Sequence, residues 1–314
     1  MTGTWPGQPV TVVVPATSAN LGPGFDSLGL ALGLHDTVQA RITESGDRVQ
    51  VTGVGAGEPW EAEGNLVIRA MRTAFEATGE QPPGIAISCR NEVPQGFGLG
   101  SSAAAIVAGL LAARALAASR ARAAQPASVL SDAEVLSLAC DIEGHPDNVA
   151  PCLSGGLTIA WNGAAGPHVA RLEPMPGLTP VACVPAIPMA TTDARKALPE
   201  QVPHADAVAN SARSALLIAA LTGRPELLLA GTEDFLHQQY RIAAMPGSAA
   251  LMAMLRDAEI PAVISGAGPA VLALTVAGRN GDPADVARIA GQHRQGWLVM
   301  PLRVDTAGAR IVGK

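Results

Sequence analysis

The chain has 314 residues, of which 48% are hydrophobic, and its 21 basic and 27 acidic residues give a formal net charge of −6. This length predicts about two domains with sizeable cores. The acidic balance argues against a nucleic-acid-binding protein, which usually carries a basic surface. Lysine occurs only at positions 196 and 314, so the chain has neither a Walker A loop nor the lysine arrangement of a protein kinase. An anionic ligand would therefore be held by backbone amides and arginines.

The sequence predicts a cytoplasmic protein that does not insert into a membrane. Its longest apolar run, residues 103–113, ends at Arg114 and is shorter than the roughly 20 residues that a membrane-spanning helix needs. Residues 1–9 carry no lysine or arginine, unlike the basic start of a secretory signal. The cysteines form no Cys-x-x-Cys pair and are predicted to be reduced, mostly buried thiols: Cys89, Cys140, Cys152 and Cys183.

The first half of the chain predicts a mixture of strands and helices. β-Branched runs between turn residues predict strands, and apolar residues at helical spacing predict helices. In chain order these are strands at 10–14, 38–42 and 49–51, a helix at 65–78, a strand at 85–88, helices from 101 to about 124 and at 132–143, and a strand at 157–161. Ser131, with Glu134 three residues later, predicts a capping box at the start of the third helix.

A glycine- and proline-rich stretch at residues 163–180 predicts the junction between two domains. After it, the same signals predict a strand at 181–186, helices at 205–221, 225–236 and 249–258, strands at 262–264 and 271–275, a helix at 283–293, and a strand at 297–304. The second half therefore also mixes helices with strands.

Two glycine-rich segments in the first half are candidate sites. Residues 15–26 form a polar connection between the first two predicted strands, and long structured connections often carry function. Residues 93–105 place three glycines and two serines at the predicted start of a helix, and either serine could cap it. Glycines let backbone N–H groups approach phosphate oxygens, and a helix N-terminus attracts anions. The same pattern also fits an ordinary loop that enters a helix.

Other residues have a weaker pattern. A similar glycine spacing at residues 53–57 lacks an immediate helix and predicts a hairpin turn. Residues 265–269 predict either a tight turn or a close approach of the backbone to another group. Five histidines are scattered through the chain without metal-ligand spacing and are predicted to be structural or at the surface: His35, His168, His204, His237 and His293.

The segment after the third predicted helix carries more functional side chains than a turn requires. Glu143 could bind Mg²⁺ together with a loop serine hydroxyl, because Mg²⁺ prefers oxygen ligands. Asp147 could hold an ammonium group. A plain turn after a helix is the alternative. Arg195 and Arg241 are candidates for binding a carboxylate or a phosphate through paired hydrogen bonds, whereas most arginines are solvated.

Three of these segments, in this order, resemble the three motifs of the GHMP small-molecule kinases. They are PATSANLGPGFD at residues 15–26, PQGFGLGSSAA at 94–104 and SGAGPAV at 265–271, and the resemblance spans almost the whole chain. Within the family, EGHPDNVAP at residues 143–151, TTDARKALP at 191–199 and the Tyr-Arg pair at 240–241 look most like the members that phosphorylate L-homoserine.

The resemblance implies a two-domain α+β fold. Residues 1–165 would form an ATP-binding domain like ribosomal protein S5 domain 2, with a left-handed βαβ unit. Residues 166–314 would form a ferredoxin-like GHMP kinase domain. The implied activity is ATP-dependent phosphorylation of the L-homoserine hydroxyl in threonine biosynthesis, by a homodimer that binds neither nucleic acid nor membranes.

The resemblance also assigns roles to residues at matching positions. ATP would be bound by the loop residues Pro94, Gln95, Gly96, Phe97, Gly98, Leu99, Gly100, Ser101, Ser102 and Ala103. Ser102 and Glu143 would bind Mg²⁺ and count, with Asn148 near the reacting hydroxyl, as catalytic residues. The amino-acid pocket would be lined by Asn20, Asp26, His145, Asp147, Asn148, Thr191, Arg195, Arg241, Gly266 and Gly268.

Two alternatives remain open at the level of the sequence. One is another GHMP kinase, for mevalonate or a cytidyl-erythritol substrate. The other is a catalytically inactive, regulatory member of the family. Two residues depart from the usual family pattern: Phe97 in the phosphate loop, where a polar or basic residue is more usual, and Gln239 before the Tyr-Arg pair. The resemblance further implies phosphoryl transfer without an obligatory carboxylate base, because positioning and charge neutralisation supply most of the catalysis.

Overall fold

Two β-sheets and the helices packed on them form the described part of the computed structural model, residues 5, 7–57, 61–121, 129–164, 166–188, 195–294 and 296–312. The strands are β1 (Val10–Ala19), β2 (Leu28–Thr43), β3 (Arg48–Gly53), β4 (Gly84–Asn91), β5 (Leu157–Gly163), β6 (Gly166–Leu172), β7 (Leu178–Pro185), β8 (Ala262–Ile264), β9 (Val271–Val276), β10 (Trp297–Pro301) and β11 (Arg310–Val312).

The helices lie between these strands in the chain, and most of the predicted ones are present within a few residues. They are α1 (Leu66–Ala77), α2 (Ser101–Ala121), α3 (Asp132–Glu143), α4 (Pro146–Ser154), α5 (His204–Thr222), α6 (Leu228–Gly231), α7 (Gln238–Arg241), α8 (Pro246–Asp257) and α9 (Pro283–Gln292). The capping box of Ser131 and Glu134 at the start of α3 is confirmed.

The first sheet has seven strands, with β11, β1, β2, β4 and β3 side by side and the β5–β6 hairpin attached to β2. β1 and β2 form a long antiparallel hairpin whose pairing runs from Val10 opposite Ala40 to Ala19 opposite Gly29. The prediction of a loop over residues 15–26 is therefore wrong for 15–19, which belong to β1. The connection proper is the short segment 20–27, where Asn20, Leu21 and Asp26 have positive φ.

β3 and β4 pair in parallel, and α1 connects them. The predicted hairpin turn at residues 53–57 is therefore wrong, because parallel neighbours need a crossover connection. These glycines instead end β3 and begin the path to α1. The pairing agrees with the βαβ unit that the family resemblance implies, while its handedness stays a prediction.

α2 is the central helix of the first core, where it packs against α1 and the first sheet. Among the described residues it is the one helix long and apolar enough to cross a membrane. The sequence did not predict such a helix, because the apolar run ends at Arg114, which pairs with Asp132 at 2.5 Å. However, 67% of the most apolar stretch of α2 is buried inside the fold, as expected of a core helix.

The second sheet has the antiparallel strand order β10, β7, β9, β8. One face packs against α8 and α9 through residues such as Leu251, Leu255 and Val286. The other face shares a core with α5 and with the first sheet, in which Leu272 and Leu274 cluster with Leu217. Because this core contains side chains from both sheets, it fixes the two sheets relative to each other. The site described below lies between them.

Three expectations for the second half differ from the structure. The predicted helix at 225–236 is only a 3₁₀ turn at Pro225–Leu227 followed by α6. The predicted junction at 163–180 contains β6, which pairs with β5 in the first sheet and extends a hairpin there. β11, which the sequence did not predict, also returns to the first sheet beside β1. The division into residues 1–165 and 166–314 stays a prediction.

All four cysteines are free thiols, as predicted. Cys89, Cys152 and Cys183 are buried, and Cys140 is half-buried. Burial raises the pKa of Cys89, Cys140 and Cys183 to about 12. These thiols therefore stay protonated at neutral pH and are poor nucleophiles.

Asp305 holds the returning C-terminal segment to the first sheet. Its carboxylate lies 2.6 Å from His35 Nε2 and accepts hydrogen bonds from the backbone N–H groups of Ala307 and Gly308. Burial raises the pKa of Asp305, but these hydrogen bonds outweigh it and hold the pKa below the ordinary value of 3.8. Because the folded pKa lies below the unfolded one, the carboxylate stabilises the fold above about pH 4, and this stabilisation is lost as the pH falls through the folded pKa.

We therefore expect Asp305→Asn to lower the free energy of unfolding by about 1–2 kcal/mol at pH 7. The difference from the unmodified protein should be smaller at pH 3, because the pH then lies below the unfolded pKa of about 3.8 and the stabilisation is being lost. Chemical denaturation at both pH values measures this. Asp282→Asn is a matched control, because Asp282 caps α9 and Asn is an equally good cap. A deficit for Asp305→Asn that is equal at both pH values would contradict the assignment.

Candidate active site

The three glycine-bearing segments of the sequence meet at one pocket between the sheets. The Leu99 carbonyl accepts a hydrogen bond from the Thr17 N–H (3.0 Å), and the Ala19 carbonyl accepts one from the Gly266 N–H (3.1 Å). The Ala270 N–H donates to the Phe97 carbonyl at 3.1 Å. The loop before α2 is thus joined by backbone hydrogen bonds to both other segments, which fixes its path.

This contact is possible because glycine stands at two positions. A Cβ atom on Gly98, whose φ is +78°, would lie 2.1 Å from the Ser265 carbonyl oxygen. One on Gly100 would lie 1.9 Å from Thr17 Oγ1. The backbone of residues 265–268 therefore lies close to that of the loop before α2, which was one of the two predictions for that segment.

The loop leads directly into the first turn of α2. The Ala104 N–H donates to the Gly100 carbonyl, so Gly100 and not one of the two serines is the residue that precedes the helix. The first turn contains no acidic residue. Its N–H groups and the positive end of the helix dipole are therefore suited to bind an anion such as a phosphate group.

Ser102 and Glu143 face each other at the rim of this loop. The Ser102 hydroxyl donates to Glu143 Oε2 at 2.7 Å. Burial raises the pKa of Glu143, and the hydrogen bond from Ser102 opposes this only in part. Among the described residues no three His, Cys, Asp or Glu side chains form a ready metal cage. One carboxylate and one hydroxyl nevertheless fit Mg²⁺, which commonly completes its shell with phosphate oxygens and water.

The segment that follows Glu143 is a second helix rather than a turn. Gly144, with φ +89°, ends α3, and Pro146 begins α4. Asp147 lies in the first turn of α4, where the helix dipole favours a negative charge. Only 2% of the surface of Asp147 is exposed. His145 Nδ1 lies 2.6 Å from Asp147 Oδ1. Burial lowers the pKa of His145, but the hydrogen bond and charges of Asp147 and Glu143 together raise it.

Opposite these carboxylates the pocket is lined by arginines. Arg195 donates two hydrogen bonds to the Asp26 carboxylate, at 2.8 Å and 3.3 Å. Arg241 is 2% exposed and donates to the Gly266 carbonyl at 3.2 Å. Burial lowers the pKa of Arg241, and the positive charge of Arg195 acts in the same direction. The pocket therefore combines two cations with three carboxylates, on Asp26, Glu143 and Asp147.

Most residues of the predicted amino-acid pocket are brought together here. The same pocket is lined by Asn20, Asp26, His145, Asp147, Asn148, Arg195, Arg241 and Gly266, together with the glycines and serines of the loop. Asn148 Oδ1 accepts a hydrogen bond from the Thr17 hydroxyl at 2.8 Å. Gly268 is adjacent to this lining, and its N–H donates to Ser265. Thr191 lies outside the described residues.

Comparison with known proteins agrees with this geometry. Residues 65–156 match the family model for the GHMP kinases N-terminal domain. A protein of Streptomyces coelicolor named homoserine kinase is 51% identical over 304 residues, which cover 96% of this chain and 94% of that protein. The chain belongs to the GHMP kinase family. The α+β fold implied by the motifs is thereby confirmed.

Solved structures of the family have the same fold. The crystal structure of homoserine kinase from Cytophaga hutchinsonii superposes with a TM-score of 0.81 at 29% identity, covering 97% of both chains. That of L. major mevalonate kinase superposes with a TM-score of 0.67 at 13% identity and covers 94% of this chain and 96% of that one. The second likeness concerns the fold alone.

Sequence reasoning missed a second pocket beside the glycine-rich loop that precedes α2. It has a volume of about 210 Å³ and is lined mainly by apolar side chains of β1 to β4, α1 and α2. Its polar members are Asp36, Asn65, Asn91, Gln95, Ser101 and Ser102. Asn65 also caps α1 through its side chain. Its lining residues lie far apart in the chain, so no local pattern could have indicated this pocket.

Sequence reasoning also placed His237 among the structural or surface histidines. The residue is fully buried and contacts Arg241. The spacing of four residues between His237 and Arg241 could have indicated this contact, because side chains four positions apart are neighbours on a helix. Phe97, which departs from the family pattern, packs against the core shared by the sheets, and Gln239 donates to the Phe235 carbonyl at the surface.

Proposed function

We propose that this chain transfers the γ-phosphoryl group of ATP to the hydroxyl of L-homoserine and forms O-phospho-L-homoserine. The observation that carries the proposal is a pocket with two arginines and three carboxylates, of which that of Asp147 is buried, directly beside a glycine-rich helix N-terminus. A zwitterionic amino acid needs both charges in one pocket, and a phosphate chain needs backbone donors nearby. The homoserine kinases at about 50% identity support the same activity.

The proposed roles follow from this arrangement. The loop of residues 94–103 binds the ATP phosphates, and the neighbouring apolar pocket fits the adenine ring, a flat group with polar edges. Asp147 binds the substrate ammonium group, and Arg195 and Arg241 bind its carboxylate. The remaining lining residues, Asn20, Asp26, His145 and Gly266, shape the amino-acid pocket together with the adjacent Gly268, and Thr191 is proposed for it by resemblance alone.

Ser102 and Glu143 are the residues that would hold Mg²⁺. When bound, the ion supplies positive charge to the phosphate oxygens. The chain itself contributes the N–H groups of the loop and of α2, which stabilise negative charge without reorganising. Asn148 lies near the reacting hydroxyl and is an amide, so positioning and charge neutralisation rather than a carboxylate base drive the transfer. The resemblance also supports a homodimer in the cytoplasm, which gel filtration and cell fractionation would check.

The alternatives fit the pocket less well. Mevalonate carries no ammonium group, so it leaves the buried Asp147 carboxylate without a ligand cation. An inactive regulatory protein has no need of the Ser102–Glu143 pair beside a phosphate loop. Release of ADP from Mg·ATP, measured with L-homoserine, L-serine, L-threonine and mevalonate, separates these cases. We expect turnover with L-homoserine that greatly exceeds the others. Turnover restricted to mevalonate, or ATP binding without any turnover, would overturn the proposal.

The absence of a carboxylate base leads to a further prediction. Asn148→Asp is expected to lower kcat/KM at least about tenfold, because it adds a negative charge beside Glu143, Asp147 and the phosphates. Asn162→Asp, at an exposed position of β5, is the matched control and should leave kcat/KM unchanged. An increase of orders of magnitude for Asn148→Asp would mean that a missing base limits the reaction.

A further inference from the structure

His237 precedes α7 at a position where both ring nitrogens have a buried partner. Its Nε2 lies 2.8 Å from the Gly22 carbonyl oxygen, and its Nδ1 lies 3.2 Å from Arg241 Nη1. A carbonyl only accepts hydrogen bonds, and a guanidinium group only donates them. The two partners therefore require a neutral ring that carries its proton on Nε2 and accepts from Arg241 at Nδ1.

The ring orientation is fixed from several sides. The Asp234 carboxylate accepts hydrogen bonds from the backbone N–H groups of His237 and Gln238, at 3.1 Å and 2.6 Å, which sets the turn. The Phe25 ring stacks on the His237 ring, with centroids 5.1 Å apart and planes at 27°. The same Phe25 ring lies 5.3 Å from the Arg241 guanidinium carbon. His237, Phe25 and Arg241 thus form one packed group, of which Arg241 lines the pocket.

The group holds one end of Arg241 away from solvent. Its Nη1 donates both to His237 Nδ1 and to the Gly266 carbonyl, each at 3.2 Å. The Gly266 carbonyl also accepts from Asn20 Nδ2 at 2.9 Å, which ties the arginine to two of the three glycine-bearing segments. A long arginine side chain loses rotational freedom when its guanidinium group is held in this way. Ordering it before the substrate arrives removes part of the cost of binding.

We infer that His237 is a positioning residue that presets the Arg241 guanidinium group for the substrate carboxylate. The inference rests on the proposed function, in which Arg241 binds that carboxylate. It predicts that His237 governs affinity for the amino acid and leaves ATP binding unaffected.

The surroundings keep the ring in the required neutral form. Burial lowers the pKa of His237, and the positive charge of Arg241 lowers it further. The negative charges of Asp234 and Asp26 and the bond to Gly22 act in the opposite direction but do not outweigh burial. A protonated ring would lose its acceptor for Arg241 and place a second cation beside it.

Two amide substitutions separate this role from a structural one. The amide of Asn branches at the carbon to which Nδ1 is attached, so His237→Asn can still present an acceptor to Arg241. The longer Gln reaches the place of Nε2, so His237→Gln can still donate to Gly22 but no longer accepts from Arg241. The inference therefore predicts opposite outcomes for the two variants. His237→Asn should keep the KM for L-homoserine within about threefold, and His237→Gln should raise it about tenfold or more.

The assay measures KM for L-homoserine, KM for ATP, kcat and the melting temperature of the unmodified protein and both variants. We expect unchanged KM for ATP in both variants and a rise of KM for L-homoserine confined to His237→Gln. A larger defect for His237→Asn would show that the bond to Gly22 is what matters, and equal effects in both variants would also overturn the inference. If the unmodified protein does not phosphorylate L-homoserine, it is the proposed function that fails.

Discussion

Glu143→Gln is expected to lower kcat/KM for phosphoryl transfer by about three orders of magnitude. The substitution keeps the size of the side chain and an oxygen that can accept from Ser102, but it removes the negative charge that would bind Mg²⁺. The same loss should raise the Mg²⁺ concentration needed for half-maximal activity. Because binding of the metal and catalysis change together, activity is measured across a Mg²⁺ titration at saturating ATP.

The helix that carries Glu143 also provides the control. Glu134 lies at the other end of α3, where it is exposed and caps the helix with Ser131. Gln serves equally well in a capping box, so Glu134→Gln should keep both the fold and the activity. A strong loss of kcat in Glu143→Gln with an unchanged Mg²⁺ requirement would contradict the role in metal binding. So would a loss smaller than about fivefold, since removal of a ligand charge costs more than that.

Gly98→Ala is expected to abolish most of the activity, with at least about a hundredfold loss in kcat/KM. Its Cβ would lie 2.1 Å from the Ser265 carbonyl and 2.9 Å from the Gly268 nitrogen, and both are backbone atoms that cannot rotate away. The phosphate loop would therefore have to separate from the residues that hold it. Steady-state kinetics with ATP and L-homoserine, and thermal unfolding, measure the two consequences.

A substitution at a second glycine separates the effect of the close contact from the effect of backbone strain. Gly57 also has positive φ, at +87°, but a Cβ there would meet nothing within 4 Å in the described part of the chain. Gly57→Ala should therefore lose only about 1–2 kcal/mol of stability from the left-handed backbone and should keep full kcat/KM. Equal kinetic losses in the two variants would mean that the close approach to Ser265 has no special role.

Much of the candidate site could be predicted because its residues lie in contiguous motifs. The loop before α2, the Glu143 to Asn148 segment and the SGAGP segment each carry their glycines and polar side chains within a few positions. Arg195 and Arg241 were proposed from the chemistry of guanidinium groups and the family resemblance. The apolar pocket beside the loop and the partner of Arg241, His237, were not predicted, because both depend on residues that only folding brings together.

The secondary structure divides in the same way. Strongly periodic helices such as α1 and α3, and the capping box at Ser131, follow from local sequence. Residues 15–19 were predicted to form a loop. They pair with β2 instead, because the β1–β2 hairpin continues past a register shift between Pro15 and Ala16. The segment at 225–236 was predicted as one helix, but α6 ends at Gly231. The chain then turns at Asp234 and places Arg241 in the pocket lining, with His237 behind it.

The sequence by itself determined the position of most helices, the capping box of α3, the charge pattern and the family. It could not decide what each glycine segment contacts. The glycines at 53, 55 and 57 and those at 96, 98 and 100 all adopt positive φ. Only the second set, through Gly98 and Gly100, lies against Ser265, Gly268 and Thr17, where we propose that it binds phosphate. Local sequence encodes the conformations a backbone can adopt, whereas the neighbours that meet it come from distant parts of the chain and are decided by the packing of the two sheets.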